Sequence, residues 1–193
     1  ASSLNNIASV YSDQGLYDEA LELHKRSLVI REKVWGPDHP DVASSLNNIA
    51  SVYSDQGLYD EALELHKRSL VIREKVWGPD HPDVALSLNN IAMVYSYQGR
   101  YEKALELLQR SLVIKERVFG LEHIGVALSL NNIAGIYSSQ ERHTDSLELY
   151  QRSLVIRKKV FDLNHPDVAS GHSNIAFVLS DQGLHEEALE HLR

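Results

Sequence analysis

The sequence contains no cysteine. It therefore carries neither a disulfide framework nor a thiolate metal site, a composition that fits a reducing compartment. Long hydrophobic runs are missing as well. Uninterrupted apolar stretches reach only five residues, as at Ile175 to Leu179, against about 20 for a membrane span and at least about 7 for the core of a signal peptide. A cytoplasmic location without a membrane partner is expected. Positive charge is in deficit: 19 Lys and Arg stand against 27 Asp and Glu, for a net charge of −8. That sign opposes a phosphate backbone, so nucleic acid is not an expected partner. The chain also lacks a phosphate-binding loop, a paired-histidine metal motif and a Gly-x-Ser-x-Gly turn. No nucleophile, base or metal is thereby placed for catalysis, and neither an enzyme nor a cofactor is expected.

What the chain has is repetition. Ala43 to Val84 reproduces Ala1 to Val42 at every position, Ala85 to Val126 and Ala127 to Val168 follow with substitutions, and Ala169 to Arg193 is a partial fifth copy. A 42-residue period spanning all 193 residues falls in the range of roughly 20 to 50 that marks a solenoid, whose units bury apolar surface only against their neighbours. We therefore expect one domain over residues 1–193, built of repeats 1–42, 43–84, 85–126, 127–168 and 169–193. With 43% hydrophobic and 24% charged residues, the composition supports a folded core. Charge is uneven: −3 for each of the first two repeats, +1 for the third, 0 for the fourth and −3 for the fifth.

In the second repeat, Pro40 suits a first helical position and Asp41 favours the positive end of a helix dipole. Leu46, Ile49, Ala50 and Tyr53 then recur at helical spacing over a helix A that runs to about Gln56. Gly57 supplies the left-handed turn, and helix B follows from Tyr59 or Asp60 to Val76 or Trp77, closed by Gly78 and Pro79. Connections this short force the two helices to pack antiparallel. His39, His81, His123 and His165 recur at the start of helix A as local capping or packing groups. The remaining six histidines form no evident ligand set. Trp35, Trp77, Phe119 and Phe161, which end helix B, are expected to pack with Val34 and its equivalents.

Leu46, Ile49, Ala50, Tyr53, Ala62, His66 and Pro82 fall on the pattern of the tetratricopeptide repeat, which the chain resembles over all five units. Its long form, with Leu-Asn-Asn-Ile-Ala and Gly-Pro-Asp-His-Pro-Asp-Val, is similar to the repeats of kinesin light chains. The resemblance implies an all-α, right-handed superhelical solenoid of stacked helix hairpins with the A helices on its concave side. It also implies a scaffold that binds an extended peptide or partner protein in that groove, with the position of Asn48 as a ligand contact.

Opposite the buried stripe of helix A lie Ser44, Asn47, Asn48, Ser51 and Asp55. One column reads Asn6, Asn48, Asn90, Asn132 and Asn174; its neighbour reads Asn5, Asn47, Asn89, Asn131 and Ser173. Asparagine is a mediocre helix former, so the columns need another cause. Either their amides grip a peptide backbone, or one column bonds the next repeat and holds the stack. Between these rungs the face turns apolar, with Leu86, Met93 and Tyr97 in the third repeat, Leu128 in the fourth and Phe177 in the fifth, a candidate pocket for an apolar or aromatic anchor.

Arg31, Arg73, Lys115 and Arg157 sit within the apolar arc of helix B. Their heads either reach water or an acid past a buried stem, or point into the groove toward a ligand carboxylate, the reading we favour for Arg73, Lys115 and Arg157. A carboxylate clamp as in some relatives is not expected, because Ser44 and Leu86 stand where it needs a base. Ala1 starts without a His-Pro-Asp-Val lead-in and Arg193 falls inside helix B. We therefore expect a piece of a longer array whose open end faces allow head-to-tail self-association as the alternative role.

Overall fold

The computed structural model describes residues Ala1–Arg193 and is all-α. Five A helices, α1 (Ser2–Asp13), α3 (Pro40–Asp55), α5 (Pro82–Tyr97), α7 (Ile124–Ser139) and α9 (Pro166–Asp181), alternate with five B helices, α2 (Tyr17–Trp35), α4 (Tyr59–Trp77), α6 (Tyr101–Phe119), α8 (His143–Val160) and α10 (His185–Leu192). The chain divides into two compact units, Ala1–Arg100 and Tyr101–Arg193. In the first, α1 packs on α2, α2 on α3, α3 on α4 and α4 on α5; in the second, α6 packs on α7 and the succession continues to α10. Each unit is thus a stack of antiparallel hairpins in which every helix is held by its sequence neighbours. The B helices have 19 residues in α2, α4 and α6, about 28 Å of rod.

The predicted periodicity is realised as burial. Val42, Ala43 and Leu46 of α3 cluster with Ile72 of α4, and Ala20 and Leu21 of α2 with Ile49 and Val52 of α3. In the second unit Val126, Ala127 and Leu130 of α7 meet Ile156 of α8. Small residues let the helices approach. The buried Ser69 hydroxyl donates to the Ala43 carbonyl at 2.9 Å, and Ser153 donates to Ala127 at 2.8 Å, so neither hydroxyl is stranded.

The helix starts are built by the recurrent histidines. The Asp41 backbone N–H donates to His39 Nδ1 at 3.1 Å, and His81, His123 and His165 accept in the same way from Asp83, Gly125 and Asp167. Each ring also stacks on the aromatic that ends the preceding B helix, from Trp35 on His39 at 5.2 Å between centroids to Phe161 on His165 at 4.0 Å. Capping and packing are therefore both present. Trp35, Trp77 and Phe119 stay exposed, as does Val34, whereas Phe161 is half-buried and packs against the core of the second unit.

At the A-to-B turn the first, second, third and fifth repeats place Gly15, Gly57, Gly99 and Gly183 at positive φ, while the fourth places Glu141 there at φ 60°. An L side chain in this region costs roughly 1–2 kcal/mol. Glu141→Gly is expected to raise the stability of the second unit by about 1 kcal/mol, read as a shift of the urea midpoint.

Candidate functional site

In the first unit two clefts open between successive A helices, and they are the same site one repeat apart. The first, of about 210 Å³, is lined by Ser9, Ser12 and Asp13 of α1, His24 of α2, and Asn48, Ser51, Val52 and Asp55 of α3. The second, of about 120 Å³, is lined by Ser51, Ser54 and Asp55 of α3, His66 of α4, and Asn90, Met93, Val94 and Tyr97 of α5. Helical spacing sets this arrangement: Ser51 and Asp55, four residues apart, share one face of α3 and border both clefts.

Each cleft has a buried histidine supplied by a B helix. His66, 2% exposed, lies with Nδ1 3.1 Å from Asn47 Oδ1, and the same oxygen accepts Asn90 Nδ2 at 2.7 Å. A carbonyl oxygen only accepts, so the His66 proton sits on Nδ1 and Nε2 carries the lone pair. Burial first, and the nearby Arg73 second, push the His66 pKa down to about 4. His24 repeats the contact with Asn5 Oδ1 at 3.1 Å and is shifted down by burial and by Arg31. On the rim, Asp55 is pushed up by burial and then by the neighbouring Asp13 carboxylate.

The two asparagine columns thus interlock. Asn90 donates to Asn47 in the first unit, and Asn174 donates to Asn131 at 2.8 Å in the second. Asn47, Asn48, Asn89 and Asn90, and likewise Asn131, Asn132 and Asn174, are all half-buried, neither shut inside the stack nor fully presented. The amide oxygens of Asn47 and Asn131 are engaged with the following repeat through Nδ2 of Asn90 and of Asn174, and Asn48 and Asn90 border the clefts. Asn47→Ala is expected to cost about 2 kcal/mol by leaving the His66 and Asn90 donors without their common acceptor. Thermal denaturation beside the Asn48→Ala variant checks this.

Of the apolar residues on this face, Leu86 is exposed, Met93 half-buried and Tyr97 61% exposed in the first unit. In the second unit Leu128 is exposed, and Phe177, 67% exposed, borders a cleft of about 470 Å³ with Ala176, Ala188, Leu189 and Leu192. Gly135, on the same face of α7, leaves its space to the Tyr150 hydroxyl of α8.

The basic row of helix B requires a correction. Arg73 is 5% and Arg157 4% exposed, so neither head is open to a ligand. Arg73 Nη1 donates to the Asp83 carbonyl at 3.2 Å and to Ser87 Oγ at 2.8 Å, Arg157 donates to the Asp167 carbonyl at 2.8 Å, and Lys115 donates to Ser129 Oγ at 2.8 Å. The row ties each B helix to the first turns of the following A helix. Burial lowers the pKa of Arg73 and of Lys115. Apolar periodicity located the row, but only the stacked neighbour supplies its acceptors.

The structure also pairs two histidines that sequence spacing did not connect. His172 of α9 and His191 of α10 lie 3.0 Å apart at Nδ1. His172 occupies the position of Leu46, Leu88 and Leu130, and that break in an otherwise constant leucine column was the visible signal. The cleft histidines gave a similar signal, since their column continues as Leu108 and Tyr150.

Comparison with solved structures gives close matches over the whole chain. A Podosopora anserina kinesin-light-chain-type protein with nearly identical TPR-like repeats is 26% identical with a TM-score of 0.81; the match covers 99% of this chain and 90% of that one. BtubC (BKLC) from P. vanneervenii, 22% identical, shares the fold at a TM-score of 0.85 over 99% of this chain and 76% of its own, and MamA, 18% identical, at 0.61 over 96% and 90%. No curated protein matches the sequence. No helix is long and apolar enough to cross a membrane. Tetratricopeptide repeat proteins act in general as protein-interaction scaffolds, and the fold is typically without catalytic activity. Since the tetratricopeptide repeat profile matches residues 1–75, 41–117 and 125–193, the chain belongs to the tetratricopeptide repeat family, in the kinesin light chain-like form.

Proposed function

We propose that the chain holds an extended peptide or a segment of a partner protein along the faces of its A helices. The observation that carries this reading is the recurrence of one cleft between successive A helices in the first unit, with Asn48 and Asn90 in equivalent places. A peptide backbone presents alternating donors and acceptors, which amide side chains match, and apolar side chains at Tyr97, Leu128 and Phe177 offer anchoring surface. A photo-reactive phenylalanine analogue introduced at Tyr97 or Phe177 should crosslink to a bound partner, whereas the same analogue at Val71 or Val155, exposed on B helices, should not. Crosslinking from the B-helix positions alone would reject the proposal.

A second reading, head-to-tail association of copies, is favoured by the apolar cleft of Phe177, Leu189 and Leu192 together with the exposed Ile7 and Val10 of α1. A head-to-tail contact leaves one unpaired face at each end of a growing assembly until the assembly closes on itself. Its mark is a light-scattering mass that grows with concentration.

A further inference from the structure

Asp55 is the one acidic side chain that borders both clefts of the first unit, and no lysine or arginine lines either of them. On one side it faces Asp13. On the other it shares the cleft with His66, whose Nε2 is an acceptor by the hydrogen bonding described above, and with Ser54, whose buried Oγ has no hydrogen-bond partner. A histidine that is 2% exposed with an unused lone pair at a cleft, next to an unpartnered hydroxyl, asks for a donor from outside the fold.

The remaining wall is of another kind. Met93 and Tyr97 line the second cleft, and Tyr97 is held in place by stacking on Tyr59 at 6.0 Å between centroids. A methylene stem can lie along such a wall while its charged head reaches the acceptors beyond, and an aromatic face adds attraction for a cation. The first two repeats, each at −3, supply a field of the same sign.

We propose that this pair of clefts receives the side chain of an arginine or lysine on an extended peptide, with Asp55 as its counter-charge. The proposal rests on the A-helix reading given above and adds the chemical class of the guest. The burial and like-charge crowding that raise the Asp55 pKa are relieved when a cation enters.

The test uses the full chain and three capped pentapeptides, Ser-Gly-Xaa-Gly-Ser with Arg, Gln or Glu at the centre, followed by NMR at the side chains of His66 and Asn90. The Arg probe should shift these signals with millimolar affinity, the Gln probe more weakly and the Glu probe not at all. Asp55→Asn should weaken the Arg probe about fivefold and remove its advantage over Gln. Asp55→Ser repeats the test with the residue that the fourth repeat carries there as Ser139, in case the amide disturbs α3. Equal shifts with all three probes, or an Arg preference unchanged in both variants, would overturn the charge assignment and leave the A-helix reading standing. No shift with any probe would overturn both in this unit.

Discussion

Lowering the pH from 7 to 4 is expected to remove about 3 kcal/mol of folding stability through His66 alone. Its imidazole titrates at about 4 in the folded chain and near 6.5 when unfolded. Between those values the unfolded chain binds the extra proton, so stability is whole above about pH 6.5 and declines as the pH falls toward 4. The whole gap of about two and a half pH units is worth about 3.5 kcal/mol at about 1.4 kcal/mol each, and about 3 kcal/mol of it is gone by pH 4, where the folded-state ring is half protonated. The physical cause is burial, with Arg73 adding repulsion; a protonated ring would put two cations in one poorly hydrated space. His24 acts in the same direction.

The control is supplied by the protein itself. The third repeat carries Leu108, fully buried, at the position of His66. Urea denaturation followed by circular dichroism at several pH values should therefore give a curve about 3 kcal/mol flatter for His66→Leu than for the wild type over this window. Carboxylate protonation affects both proteins and cancels in the difference. Parallel curves would show that His66 is not held neutral by the fold.

Arg73→Glu is expected to cost about 4 kcal/mol, because a carboxylate there would face the Asp83 carbonyl in a buried site with no cation to meet it. Arg73→Lys should cost under about 1 kcal/mol, since the third repeat satisfies Lys115 with Ser129 alone. The contrast separates a tie within the stack from a ligand contact. A ligand-facing arginine would tolerate charge reversal in the free protein and lose only binding. Chemical denaturation of the free chain decides between them, and wild-type stability of Arg73→Glu would restore the ligand role.

The helices and their limits were legible in the sequence because they depend on local chemistry. Leu46, Ile49 and Ala50 at helical spacing, Pro40 at the start of α3 and Gly57 after its end act within a few residues of one another, and the exact duplication of the first 42 residues repeats the message. The face carrying Ser51 and Asp55 was legible for the same reason. The Arg73 head was not, since its carbonyl and hydroxyl acceptors belong to the next A helix. The tie between Asn90 and Asn47 was open as one of two readings of the columns, and only the stacked repeats, which bring together residues 43 positions apart, decided for it. The neighbour of Gly135 was not legible either, since only packing against α8 brings the Tyr150 hydroxyl beside it.

By itself, the sequence determined that this protein is a line of helix hairpins, because helix formation and turn geometry follow from neighbours along the chain. The stacked hairpins decided which polar side chains remain for a guest. Hydrogen bonds between repeats engage Nη1 of Arg73 and the amide oxygen of Asn47 and leave Asp55, Ser54 and the second nitrogen of His66 at the clefts. A periodic sequence repeats its donors and acceptors in every unit, and only three-dimensional packing determines which of them already have partners.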